Sequence, residues 1–277
     1  MTRSEAPLDR LRRLAGDLVD RLRSTPGLAV VTIVGSVADG TADEWSDLDL
    51  HLYWDAPRAG LLDPGRMGDR AQPVLRRGGG EHAMEVWQVG EDRVELTHYT
   101  LAVLDEMATA VGQRADPRTD YQVQMRLLLD SMPLLGGDEL TRRLEPAAVY
   151  PDALAETVAS LNLHFYPAAM FGVLVERDDV IFARQVLVHT VESVMGVLMG
   201  INRIYGTPIE ATSYERFVRR MTITPPDVWA RMRALVTDPV RGLGPVRHEL
   251  IEEVFALVRE HLPAVDTTAA RELYEIR

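Results

Sequence analysis

The hydrophobic period of this chain changes once, near residue 103, and that change limits the folds open to it. Before it, short apolar runs bounded by Gly, Pro and Asp predict strands over Leu28–Val34, Asp47–Trp54, Ala83–Val89 and Arg93–Leu101. The Gly90-Glu91-Asp92 stretch predicts a hairpin turn between the last two. Leu8, Leu11, Leu14, Leu18 and Leu22 recur at helical spacing and predict an amphipathic helix over 8–23, ended by Pro26-Gly27. Residues 55–80 read as loop, with a helical segment near 66–77 that ends in Gly78-Gly79-Gly80. Beyond residue 103 every predicted element is a helix: 102–112, 120–131, 151–175 with a kink at Pro167, 179–204, 212–221, 226–237 and 246–261. The expectation is an α+β chain, a mixed sheet with flanking helices followed by an all-α helical bundle. The boundary falls between 103 and 150 and is drawn as two domains, 1–115 and 116–277, with Asp130–Leu144 (Pro133, Gly136-Gly137) as the preferred connector.

Composition removes several chemistries. There is no Cys, so thiol nucleophiles, disulfides, Fe–S clusters and thiolate zinc sites are excluded. All 30 basic residues are Arg, so a Walker-A loop and Schiff-base chemistry, which need a Lys amine, are excluded as well. Against them stand 42 acidic residues and a net charge of −12, which argues against nucleic acid held by counterion release and suits a cationic small molecule. The first ten residues lack an apolar core segment, and no uninterrupted apolar run approaches the roughly 18 residues of a membrane span. The expectations are no membrane partner and a cytoplasmic location. The oligomeric state, a homodimer included, stays open.

The stretch that carries chemistry is Val34-Gly35-Ser36, ten residues, then Asp47-Leu48-Asp49-Leu50. A buried strand ends in Gly-Ser, where Gly lets the backbone turn and approach a ligand, and exposed N–H groups with the Ser36 hydroxyl suit phosphate oxygens. The next strand alternates. Leu48, Leu50, Leu52 and Trp54 face one way, and Asp47, Asp49, His51 and Tyr53 the other. Period two therefore puts two carboxylates side by side. Such a pair repels and raises one pKa unless a cation sits between. A hard divalent ion meets that need, and Mg²⁺ commonly uses one or two carboxylates plus substrate phosphates. Alone, Asp-x-Asp reads as a solvated strand face; the Gly-Ser strand end before it is what gives the pattern chemical meaning.

This pattern resembles the nucleotidyltransferase superfamily related to DNA polymerase β, whose motif is Gly-[Gly/Ser], a gap of roughly ten residues, then Asp-x-[Asp/Glu] between hydrophobic positions. The extended form of its small-molecule branch, G-S-x-A-x-G then S-D-x-D, is matched by Gly35, Ser36, Ala38, Gly40, Ser46, Asp47 and Asp49. Asp39 stands where that branch often has Arg or another large residue. The resemblance implies a nucleotidyltransferase-type mixed sheet over about the first 100 residues, Mg²⁺ on Asp47 and Asp49, and ATP or another NTP as co-substrate beside Gly35, Ser36 and Ser46. It also implies a third carboxylate that shares the metal or deprotonates the attacking hydroxyl. Glu95 in Arg93-Val94-Glu95-Leu96 is the choice, and Glu85 the competitor.

The helical half resembles the substrate-binding portion of antibiotic nucleotidyltransferases, which implies Arg184 or Arg203 on the nucleotide phosphates and Asn202 or Tyr205 shaping the pocket. The implied acceptor is a hydroxyl of a small molecule, an aminoglycoside- or lincosamide-type antibiotic leading. A protein or tRNA acceptor, and a non-catalytic binding protein on the same scaffold, are the alternatives. Other features carry less. His248-Glu249-Leu250-Ile251-Glu252 lacks the second His of a zinc-protease helix, and Gly78-Gly79-Gly80 follows no predicted strand. His189 reads as a core histidine within an apolar helix, and His51 as a solvated one.

Overall fold

The structure is a computed structural model and describes residues 5–57, 62–208 and 214–276. The elements in order are α1 Pro7–Leu22, β1 Leu28–Val34, α2 Gly35–Ala38, β2 Leu48–Trp54, α3 Pro64–Met67, β3 Ala71–Gly79, β4 His82–Val89, β5 Asp92–Thr100, α4 Leu101–Arg114, α5 Thr119–Leu129, β6 Met132–Leu135 and α6 Gly137–Leu144. After a 3-10 turn at Glu145–Ala147 come α7 Asp152–Asn162, α8 Ala168–Glu176, α9 Val180–Ile201, α10 Tyr214–Arg220, α11 Val228–Thr237, α12 Gly244–His261 and α13 Thr268–Glu275. The class is α+β: a mixed sheet with helices, and a long helical region. Two compact units account for it, Met1–Gln113 with Gln124–Val149, and Arg114–Val123 with Tyr150–Arg277.

The sheet runs β3-β4-β5-β2-β1-β6, with β2–β5 parallel and the other pairs antiparallel. Its apolar face is the one the alternation predicts. Leu48, Leu50, Leu52 and Trp54 of β2 join Val94 and Leu96 of β5 in a cluster closed by Leu11, Ala15, Leu18 and Leu22 of α1. Each fully buried Leu there contributes about 1.5–3 kcal/mol. Two strands fall outside the sequence reading. The helix expected near 66–77 is replaced by α3 and β3. Strand β3 is an almost wholly exposed edge strand, so no burial imposes an apolar period on it. It forms through its pairing with β4 and tolerates Pro73 at a register shift on the edge. The connector expected over Asp130–Leu144 is likewise structured. Strand β6 pairs with β1 and α6 packs on β1, so residues 124–149, expected with the helical half, belong to the sheet unit.

The helical unit is organised around α9, which packs against α7, α8, α11 and α12. By length and composition α9 is the one described helix apolar enough to cross a membrane, and it is here the mostly buried centre of the bundle. Asp179 caps it, its side chain accepting from Phe182 N at 3.2 Å. The helix expected over 151–175 is two helices rather than one kinked helix. Pro167 cannot continue the ladder, and Phe165 between them is fully buried against Phe255 and Tyr274 (centroids 5.8 and 6.3 Å). Of the helix expected over 212–221, residues 212 and 213 lie outside the described residues, and the rest forms α10.

Candidate active site

Two register relations build the site. Parallel pairing sets Asp49 of β2 opposite Glu95 of β5, on the face away from α1, followed by His51 with Thr97 and Tyr53 with Tyr99. Antiparallel pairing sets Val34, the last residue of β1, opposite Asp49. The chain then turns at Gly35 with φ +68°, and a Cβ there would lie 3.1 Å from Asp49 Oδ2. Glycine is needed twice over, for the left-handed backbone and for the space the carboxylate occupies. These residues line an open cavity of about 460 Å³ that also includes Arg77, His82 and Tyr99. The His82 and Tyr99 rings stack in its wall at 4.7 Å.

Electrostatics single out Asp49. Burial pushes its carboxyl up to about 6, the charges of Glu95 and Asp47 push the same way, and Arg93 opposes them. Its side chain accepts no hydrogen bond from any described residue. Asp47, just before β2, is half exposed and pairs with Arg93 (Oδ2 to Nε 3.3 Å). His51 is not solvated: it is 5 % exposed, burial holds it neutral with its pKa down to about 3, and its Nδ1 has no partner.

The donor chemistry fits a hard cation in part. Asp49 and Glu95 present oxygen ligands on neighbouring strands, and a carboxyl whose pKa is raised by other carboxyls is relieved by a positive ion. Among the described residues, however, no three His, Asp or Glu side chains converge to hold an ion. Asp49 and Glu95 form an open pair of the kind Mg²⁺ completes with water and phosphate oxygens, and Asp47 joins it only by leaving Arg93.

Glu85 is not at this site. It lies on the opposite sheet face beside Leu96, 1 % exposed, accepting from Leu62 N at 3.1 Å and Trp87 Nε1 at 3.0 Å, with His98 Nε2 3.7 Å away. Ser36 stays beside Gly35 in α2, whereas the Ser46 hydroxyl donates to Asp43 Oδ1 and accepts from Asp43 N (both 2.9 Å), closing a turn. Arg184 donates to Leu235 O and Asp238 O (both 2.6 Å), holding the end of α11. Arg203 pairs with Asp152 at 2.6 Å. Asn202 ties α9 to the Ile223 backbone, and Tyr205 packs on Tyr150 at 4.5 Å. These four side chains expected at the nucleotide or pocket are thus occupied within the helical unit. The sequence reading misses Arg77 and Arg93. Arg77 sits on the strand that had no apolar signature. Arg93 was legible, because alternation puts it on the face of Glu95.

No family model matches the chain, and no curated protein matches it. Among solved structures the chain is similar to a nucleotidyltransferase-like protein from Exiguobacterium sibiricum 255-15. The two are 13% identical, the match covers 90% of this chain and 75% of that one, and the TM-score is 0.42.

Proposed function

We propose that this chain is a metal-dependent nucleotidyltransferase that moves a nucleoside monophosphate from an NTP, ATP first among them, to a hydroxyl of a small molecule. The observation that carries the reading is the Asp49–Glu95 pair, set in register beside the Gly35 turn in an open cavity, with the Asp49 carboxyl raised to about 6 by burial and by its carboxylate neighbours. Asp49 and Glu95, joined by Asp47, would hold Mg²⁺, which when bound offsets the charge of the triphosphate. The backbone at Gly35-Ser36 borders the phosphates. Glu95 receives the proton of the acceptor hydroxyl as its oxygen bonds to the α-phosphorus, and the bond to the β-phosphate breaks to release pyrophosphate. Arg93 and Arg77, on the same face, balance the charge of the departing group. Positioning and electrostatics supply the acceleration. The acceptor class that the motif resemblance favours, a cationic aminoglycoside- or lincosamide-type antibiotic, agrees with the net charge of −12.

The test is equilibrium binding of ATP, GTP, CTP and UTP in Mg²⁺, followed by transfer of label from the bound NTP to a panel of hydroxyl acceptors. Binding that requires Mg²⁺ and is lost in Asp49→Asn is expected. Folded protein that binds no NTP in Mg²⁺ refutes the proposal.

A further inference from the structure

The helical unit holds a second cavity, of about 430 Å³, formed by the start of α5, by α7 and α9, and by the segment after α9. Its wall contains polar atoms the fold leaves unused. Gln122 is 3 % exposed; its Nε2 donates to Pro117 O at 2.9 Å, and its Oε1 has no partner. Thr207 is 9 % exposed and its Oγ1 has no partner; the same holds for His189 Nδ1. An unpaired buried polar atom costs about 1–3 kcal/mol, so three around one cavity need an explanation. His189 is therefore no satisfied core residue. Burial and the neighbouring His164 and Arg247 push its pKa down, against Glu192, so it is neutral and can accept a hydrogen bond.

The remaining wall has the same polarity. Asn162 spends its Nδ2 on Val158 O at 2.8 Å, which leaves Oδ1 to accept. It lies over Gly196, where a Cβ would come within 2.1 Å of that oxygen. Glu192 lines the cavity and forms no ion pair among the described residues, and no Arg lines it. The cavity thus offers a carboxylate, two amide oxygens, a neutral imidazole nitrogen and a hydroxyl, with no cation facing them.

We propose that this cavity is a binding site for a small organic cation rich in N–H and O–H donors, of the size and character of an amino sugar, held by Gln122, Asn162, His189, Glu192 and Thr207. A donor-rich cation pairs the orphan acceptors and the Glu192 charge together, whereas an anion would meet the carboxylate and a hydrocarbon would leave every polar atom unpaired. The assignment is independent of phosphoryl chemistry at the sheet, because all its residues lie in the helical unit.

The experiment titrates the full chain, without Mg²⁺ or nucleotide, with glucosamine, glucose and glucuronate, three probes of one size and different charge. The His164 and His189 ring resonances are followed by NMR. Glucosamine should shift them saturably, glucose at least about tenfold more weakly, and glucuronate not at all. Glu192→Gln should bring glucosamine down to the affinity of glucose, and Thr207→Val should weaken both sugars. A cavity that holds only water gives no saturable shift with any probe, and that result overturns the proposal. So does glucose or glucuronate binding as tightly as glucosamine, or glucosamine affinity unchanged in both variants. Loss of NTP binding at Asp49 would leave the result untouched, so the two sites fail separately.

Discussion

Replacing Asp49 by Asn should make the protein more stable above neutral pH while removing its proposed activity. The carboxyl rises from its ordinary value near 3.8 to about 6 on folding. A raised acid is stabilising when protonated. That contribution is complete below the unfolded pKa and is lost as pH rises through about 6, so above both values the folded state carries the whole penalty of the buried charge. At about 1.4 kcal/mol per pH unit, the penalty is about 3 kcal/mol. Asparagine fills the same space without the charge, and no described donor depends on the carboxylate. The expected gain for Asp49→Asn is about 1–3 kcal/mol at pH 8, shrinking toward zero at pH 4.5. Urea unfolding followed by tryptophan fluorescence reads it, since Trp54 and Trp87 are buried in the sheet unit. Adding Mg²⁺ at ten times its Kd should return about 1.4 kcal/mol to the parent protein and nothing to the variant. If Asp49→Asn is destabilised at pH 8, or its difference from the parent does not depend on pH, the account of this site is wrong.

Three further outcomes follow from the same geometry. Glu95→Gln should leave stability within about 1 kcal/mol, abolish label transfer and lower the Asp49 pKa. Glu85→Ala should instead lose about 3 kcal/mol or more by stranding Leu62 N and Trp87 Nε1, while its folded fraction keeps Mg²⁺-dependent NTP binding; calorimetry with denaturation separates the two. Gly35→Ala should cost about 1–2 kcal/mol for the left-handed backbone and weaken Mg²⁺-ATP binding by crowding Asp49, which isothermal titration measures. Arg247 is 1 % exposed, donates to Thr190 Oγ1 at 3.0 Å and to Tyr166 O, lies about 5.5 Å from the rings of Phe171 and Tyr274, and faces no carboxylate. Arg247→Met removes a buried charge and Arg247→Lys keeps one that reaches fewer acceptors, so the Lys variant should be the less stable by at least about 1 kcal/mol; the opposite order of urea midpoints would contradict this.

Sequence alone determined the elements whose own residues bury a face. The β2 alternation, the Leu heptad-like run of α1 and the apolar helices after residue 103 all appear where their periods put them, because burial imposes period two or 3.6 on whatever it covers. It also determined that Asp47 and Asp49 precede and open one strand on one face, and that Gly35 ends the strand before it. Tertiary structure decided the rest. Strand β3 exists through its hydrogen bonds to β4, and β6 through those to β1, and neither leaves a strong pattern in its own side chains. The choice of Glu95 over Glu85 as the partner of Asp49 followed from pairing register: two glutamates ten residues apart on neighbouring strands fall on opposite faces of the sheet. The duties of Arg184 and Arg203 were likewise set by which carbonyls and carboxylates folding brought within reach, and a linear spacing holds no record of such distances.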